Sequence, residues 1–273
     1  MKSPRGIERL DVGEVCLGPY PPAGFTLLPG ADFGNGDFYG MHWPLGRENQ
    51  EPIVCETMHD EWGIAPVFAD VAGFADWLEA NDGEPGDLPV PDDAFAPALF
   101  EQTRAHFAAG RVEEAIEAAR RACQSLPDVS EYQTLLARAL QRAGRHEEAV
   151  RAALAAFHSP WSFGRPGEPV LRLLRSARVG FDDPVLRRAG DLTLVFGGTK
   201  LNPEYDRLRA CIDEYLEAGQ ALEGLCLLQN FAYVMGGETV SFQQRYGFAL
   251  EAWRTDFSRL CGEHLGDTRT ALD

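Results

Sequence analysis

The sequence has almost no lysine: Lys2 and Lys200 are the only two, and arginine supplies the other basic side chains of a chain with formal net charge −17. The scarcity of cations is greatest at the front, where residues 1–90 hold four Lys or Arg against sixteen Asp or Glu. Nucleic-acid binding needs the opposite sign, because its affinity comes largely from cations replacing phosphate counterions. An acidic surface favours basic partners, or simply keeps a protein soluble. Residues 91–175 hold eleven of each sign, and residues 176–273 hold ten against fifteen. The six cysteines, Cys16, Cys55, Cys123, Cys211, Cys226 and Cys261, never form a C-x-x-C pair. Reduced, mostly buried thiols are expected, not a disulfide framework or a zinc ribbon. No apolar run approaches the roughly 20 residues of a membrane helix. The start, "MKSPRGIERLDVGE", has no apolar middle of a signal peptide, so a cytoplasmic location is expected. No H-E-x-x-H pattern sets two imidazoles one helical turn apart. "FGGTK" (Phe196–Lys200) lacks phosphate-loop spacing and reads as a helix terminus and turn.

What is present, first, is an internal repeat. "AGRVEEAIEAARRA" starts at Ala109 and "AGRHEEAVRAALAA" at Ala143, an offset of 34, and residues 104–122 match 138–156 at eleven of nineteen positions. That period resembles the tetratricopeptide repeat, a stacked pair of antiparallel helices. Gly110 and Gly144 fall where a helix ends in a left-handed residue. Ala115, Ala122, Ala149 and Ala156 are small where two helices approach, and Pro127 stops a helix at the repeat end. The resemblance runs from Asp93 to His158; it departs from the repeat pattern at Gln133, where a large apolar residue is expected, and at Pro160, one place off register. Two repeats rarely stand alone. A degenerate third hairpin is expected around Gly219, and "SFQQRYGFALEAWRTDFSRLCGEHL" reads as a long final helix, while "FHSPWSFGRPGEP" reads as an ordered loop.

Ahead of these helices, "DFYGMHW" and "PIVCETMH" read as an antiparallel hairpin joined by a polar turn over Gly46–Gln50. "ADVAGFADWLEA" then places Val71, Phe74, Ala75 and Leu78 on one helical face. The stretch from Gly36 to Leu78 resembles the SUKH superfamily of fungal cell-wall-synthesis regulators and bacterial toxin-immunity proteins. Gly36-Asp37, the aromatic strand to Trp43-Pro44, the Pro-Ile-Val strand, His59-Asp60-Glu61-Trp62 and Phe74, Trp77 and Leu78 carry the likeness, which spans roughly residues 20–80. The helical portion that precedes the sheet in that family is abbreviated in this chain. The resemblance implies a binding domain, often one that neutralises a toxin, and an acidic domain suits a basic nuclease surface.

Together these features predict an α+β protein: a small antiparallel sheet with a packed helix, then an all-α array of tetratricopeptide-like hairpins. The expected boundaries are 1–82 for the SUKH-like unit, 83–92 for a linker within the Gly-, Pro- and Asp-rich "ANDGEPGDLPVPDD", and 93–273 for the helices. The expected function is non-enzymatic and needs no cofactor. It is stoichiometric binding of a protein partner, foremost a toxin with a basic surface, with no nucleic acid and no membrane involved. Arginine and alanine richness suits a GC-rich bacterial source. Candidate contact residues are Arg47, Glu48, Glu51, Glu56, Asp60 and Glu61 on the front unit. A regulatory adaptor is the alternative, its helical groove lined by Arg104, His106, Arg138 and Gln141. A metal-dependent hydrolase built on His42, His59, Asp60 and Glu61 ranks third, since consecutive residues of a strand cannot converge. The competing structural reading places Trp43, Ile53, Trp62, Phe74 and Trp77 in a small core, ties His59-Asp60 to the backbone of a turn, and leaves Arg47, Glu48, Glu51, Glu56 and Glu61 solvated.

Overall fold

The computed structural model describes residues 1–32, 34–198, 201–266 and 272. Strands β1 (Phe25–Asp32), β2 (Phe38–His42), β3 (Ile53–Met58) and β4 (Gly63–Phe68) form an antiparallel meander in chain order, followed by helix α1 (Val71–Ala80). The β2–β3 hairpin is the one the sequence predicts, with Gly40 opposite Cys55 and Met41 opposite Val54. Its turn closes when the Arg47 N–H donates to the Pro44 carbonyl and the Gln50 N–H to the Arg47 carbonyl. Before β1 stands only a 3-10 turn, Ile7–Arg9.

Both faces of the sheet are covered. Side chains alternate along each strand, so Tyr39, Met41, Val54 and Phe68 share one face with Val71 and Phe74 of α1. Asp70 starts that helix by accepting the Gly73 N–H at 2.7 Å, an N-cap that satisfies one orphan donor. Phe25, Ile53, Cys55 and Ile64 point the other way, into the main core of the helical region. Gly40 makes that second face possible, because a Cβ there would sit 2.1 Å from Cε1 of Phe25.

The helical region begins with two hairpins, α2 (Ala96–Ala108) with α3 (Val112–Ser125) and α4 (Ser130–Arg142) with α5 (His146–His158). After α6 (Glu168–Arg175) and the short α7 (Pro184–Arg188) comes a third, α8 (Pro203–Glu217) with α9 (Ala221–Gly236). The three hairpins turn in one way. Gly110, Gly144 and Gly219 have φ of 75°, 76° and 74°. The next residue donates to the carbonyl five back: Arg111 to His106, Arg145 to Leu140 and Gln220 to Tyr215. These are Schellman closures, which need a left-handed residue. Ala115, Ala122, Ala149 and Ala156 are buried at the helix contacts, and α3 packs on α4, α5 on α6 and α5 on α9. The loop at Trp161 is ordered. Asn230 accepts the Trp161 N–H at 2.9 Å and donates to the Ser159 carbonyl at 2.9 Å.

Five expectations are corrected. The final helix is broken: α10 (Val240–Arg245) and α11 (Leu250–Leu265) are separated at Gly247, whose φ is 62°. His59-Asp60-Glu61 lie in the β3–β4 turn, not in a strand. Trp62 is 38% exposed and outside the small core; it stacks on Tyr20 and meets Tyr233 of α9 edge-on. "FGGTK" is not a helix end: Phe196, Gly197 and Gly198 lie in an irregular stretch between α7 and α8, and Thr199 and Lys200 lie outside the described residues. Trp43 and Phe74 are buried in the small core with Trp77 half-buried against it, as the structural reading has them. Ile53, by contrast, is buried on the opposite face of the sheet, in the main core. Among the described residues no helix is long and apolar enough to cross a membrane.

Candidate functional site: an arginine-lined groove on the helical array

The six candidate contacts on the front unit do not form one surface. Arg47 is half-buried and donates from Nη1 to the Gln124 carbonyl at 2.9 Å, pinning the hairpin tip to the end of α3. Glu48 is 5% exposed, which corrects the expectation of a solvated side chain. Its Oε1 accepts the Gly46 N–H at 3.0 Å. Glu51 pairs with Lys2 at 2.7 Å. Glu56 is half-buried, and desolvation, helped by the Asp37 charge, raises its carboxyl pKa. That leaves Asp60 and Glu61, both exposed. Asp37 holds their turn in place by accepting both the backbone N–H and Nδ1–H of His59, each at 2.8 Å. The backbone donor, then the imidazole, lowers the Asp37 pKa, and the bond to Asp37 raises that of His59. His59 Nε2 faces Asp60 at 3.1 Å. Among the described residues no group of three or more His, Cys, Asp or Glu side chains is gathered as metal ligands are.

His42 lies far from His59 in role. Its imidazole is 1% exposed on the array-facing side of β2, and Nε2–H donates to Asp128 Oδ2 at 2.6 Å. Asp128 belongs to the α3–α4 connection, so this bond crosses from sheet to array. The rings of Phe25 and Phe163 flank the imidazole. Ala23 N–H to Gln229 Oε1 at 2.9 Å and Tyr233 O–H to the Trp62 carbonyl at 2.8 Å complete the junction.

The four groove residues separate into three places. Arg104 and Arg138, one repeat apart, line the same groove of about 540 Å3 between α2, α4 and the entry to α6. His106 is half-buried and lies outside it, its Nδ1 buried without a partner. Gln141 lines a different hollow of about 280 Å3 beside His146 and Arg178. A third arginine, Arg165, joins the first two in the groove; it sits in the loop after Trp161, where no repeat position announces it.

Two of the three exposed groove guanidiniums rest on aromatic rings. Arg104 lies 5.9 Å over the Phe100 ring and Arg138 5.3 Å over Phe107. Such stacking favours a cation electrostatically and orders a long side chain before any ligand arrives. Arg104 also reaches Glu101 at 2.9 Å. Neither Arg138 nor Arg165 has a carboxylate within 4.0 Å among the described residues. Glu131 is the one acidic side chain on the lining, beside Thr134 and the apolar Leu135 and Phe163. Two guanidiniums without a carboxylate partner, Arg138 over the Phe107 ring and Arg165 across the groove, can take up carboxylates or other oxyanions.

Fold and groove define the class: an α+β protein whose small sheet shares its core with a stack of helical hairpins that carries a basic concavity. Comparison with known proteins narrows this further. Residues 10–87 match the YfbP N-terminal domain and residues 195–272 match the YfbP C-terminal domain. The uncharacterized protein YfbP of Escherichia coli (strain K12) is 43% identical over 263 residues, 94% of this chain and 93% of that protein. The chain belongs to the YfbP family. The groove arginines fall between the two matched segments.

Proposed function

We propose that the protein is a non-enzymatic binding protein whose hairpin array, tetratricopeptide-like in period, holds an acidic segment of a partner protein in the arginine groove. One observation carries this reading: three guanidiniums line a single groove in a chain of net charge −17, and two of them meet no carboxylate among the described residues. The overall negative charge does not oppose an acidic ligand at close range. The Debye length is about 8 Å at physiological salt, so contacts within the groove outweigh distant carboxylates. Apolar Leu135, Phe163 and the two stacked phenylalanines suit the aliphatic parts of an extended peptide.

The test uses a fluorescein-labelled peptide rich in Asp and Glu, followed by anisotropy against the full chain, with an equally long Lys-rich peptide as control. The acidic peptide binds and the basic one does not. Arg138→Glu with Arg165→Glu lowers affinity by about a hundredfold, about tenfold for each reversed contact. Affinity that is indifferent to the double reversal, or equal for the two peptides, refutes the groove as the site.

A second reading follows the SUKH-like resemblance, and Asp60 and Glu61 favour it, exposed on a turn of the acidic front unit. Here the protein is a cytoplasmic immunity protein that covers the basic surface of a toxin. Cells making the toxin encoded next door survive only with this protein, the two co-purify one to one, and Asp60→Lys with Glu61→Lys removes protection. Protection that survives the double reversal excludes the turn as the contact.

A further inference from the structure

A separate cleft of about 370 Å3 opens where the β2–β3 hairpin tip meets the array. Its floor is polar yet buried. His158, at the end of α5, is 9% exposed; Asp183, which caps α7, is 8% exposed; Asp128 is 7% exposed; Tyr215 is fully buried. Leu45, Leu154 and Leu222 form apolar walls.

The floor has acceptors to spare. His158 Nε2 is buried with no hydrogen-bond partner. Desolvation holds this imidazole below its ordinary pKa, against the opposing charges of Asp183 and Glu223 and a hydrogen bond to the Leu154 backbone. A carbonyl only accepts, so Nδ1 carries the proton and Nε2 presents a lone pair. Asp183 accepts from the N–H groups of Val185 and Leu186 at 2.9 and 3.0 Å and from the Tyr215 hydroxyl at 2.7 Å. Glu223, half-buried on the wall, has no cationic partner within 4.0 Å among the described residues. The two guanidiniums on the lining are already engaged. Arg47 donates to the Gln124 carbonyl, and Arg151 pairs with Glu147 at 2.5 Å and lies over Phe181. An anion placed here would meet a lone pair and three carboxylates. A buried acceptor left unmatched is costly, by about 1–3 kcal/mol, and a ligand donor removes that penalty.

We propose that this cleft binds a small organic cation, an ammonium group on a compact apolar body, with the N–H donors directed to His158 Nε2 and Glu223 and the body against Leu45, Leu154 and Leu222. The site differs from the arginine groove in place and in sign, and it is independent of the peptide reading.

Three near-isosteric probes test it on the full chain by calorimetry: benzylamine, benzyl alcohol and benzoate. Benzylamine binds at least about tenfold more tightly than benzyl alcohol, and benzoate binds more weakly still. Glu223→Gln, on a half-buried side chain whose loss leaves the fold intact, lowers benzylamine affinity by about tenfold. Bound benzylamine also shifts the His158 ring resonances in the wild type, a readout that needs no substitution in the floor. No benzylamine binding at millimolar concentration, equal binding of the three probes, or an affinity unchanged by Glu223→Gln overturns the assignment.

Discussion

Replacing Asp128 with Ala tests whether the sheet and the helical array are one folding unit. In the wild type His42 Nε2–H donates to Asp128 Oδ2 at 2.6 Å, with the imidazole 1% exposed and its Nδ1 already without a partner. Without the carboxylate, both ring nitrogens are buried and unsatisfied. Removing one member of a buried pair costs about 3–5 kcal/mol. Asp128 keeps some contact with water, its side chain being 11% exposed, which places the expected loss near the lower bound, about 3 kcal/mol. For a chain of this size that lowers Tm by about 6–12 °C. Asp128→Asn retains an acceptor for Nε2–H, so its expected cost is only about 1 kcal/mol. Urea unfolding followed by far-UV circular dichroism measures each variant. The cycle through His42→Ala isolates the pair, with an expected coupling of at least about 1.5 kcal/mol. If Asp128→Ala costs under about 1 kcal/mol and the coupling is indistinguishable from zero, the bond does not tie sheet to array.

Two further outcomes follow from other parts of the fold. Gly40→Ala puts a Cβ 2.1 Å from the Phe25 ring and 2.8 Å from the Thr26 carbonyl oxygen, so a loss of about 3 kcal/mol is expected; Phe25→Leu in the same chain restores part of it, and a neutral Gly40→Ala by urea titration contradicts the packing described. Glu214 is held at a pKa of about 2 by hydrogen bonds from Arg188 and Arg187, against an ordinary value of 4.5. A depressed carboxyl stabilises the fold above its unfolded pKa and loses that contribution as pH falls through the folded one, so the gap in urea midpoint between wild type and Glu214→Gln is full at pH 7 and closes between about 4.5 and 2; a gap independent of pH refutes the pairing.

Local order was legible in the sequence, and long-range order was not. The hairpins declare themselves because each is closed by residues a few positions apart, so Gly110 and Gly144 reveal both turns. Arg104 and Arg138 were legible as groove residues for the same reason, since an offset of 34 places them at one repeat position. His106 and Gln141 do not share a repeat position, and the structure leaves them apart. The strands β1 and β4 escape pattern reading because Pro29 and Pro66 interrupt them; both strands are sheet edges, where a missing donor is tolerated. The burial of Glu48, the anchoring of Arg47 and the exposure of Trp62 depend on partners on other elements or on tertiary packing. Alternation and composition carry no trace of such contacts.

The sheet's double coverage decides where recognition can occur. A sheet with one free face can offer that face to a partner, but here α1 covers one side and the array the other. The hairpin tip is fastened by Arg47, and Trp62 is held between Tyr20 and Tyr233. The exposed acidic side chains of the front unit lie on turns, edges and the outer face of α1, where screening is strongest and each ion pair would contribute at most about 1 kcal/mol. The groove instead sets two of its three exposed guanidiniums against rings, where planar, multidentate contacts to an oxyanion are favoured over a single point charge. In a chain rich in exposed carboxylates, the lining of this groove carries three arginines against one glutamate, so its local sign is the reverse of the chain's net charge.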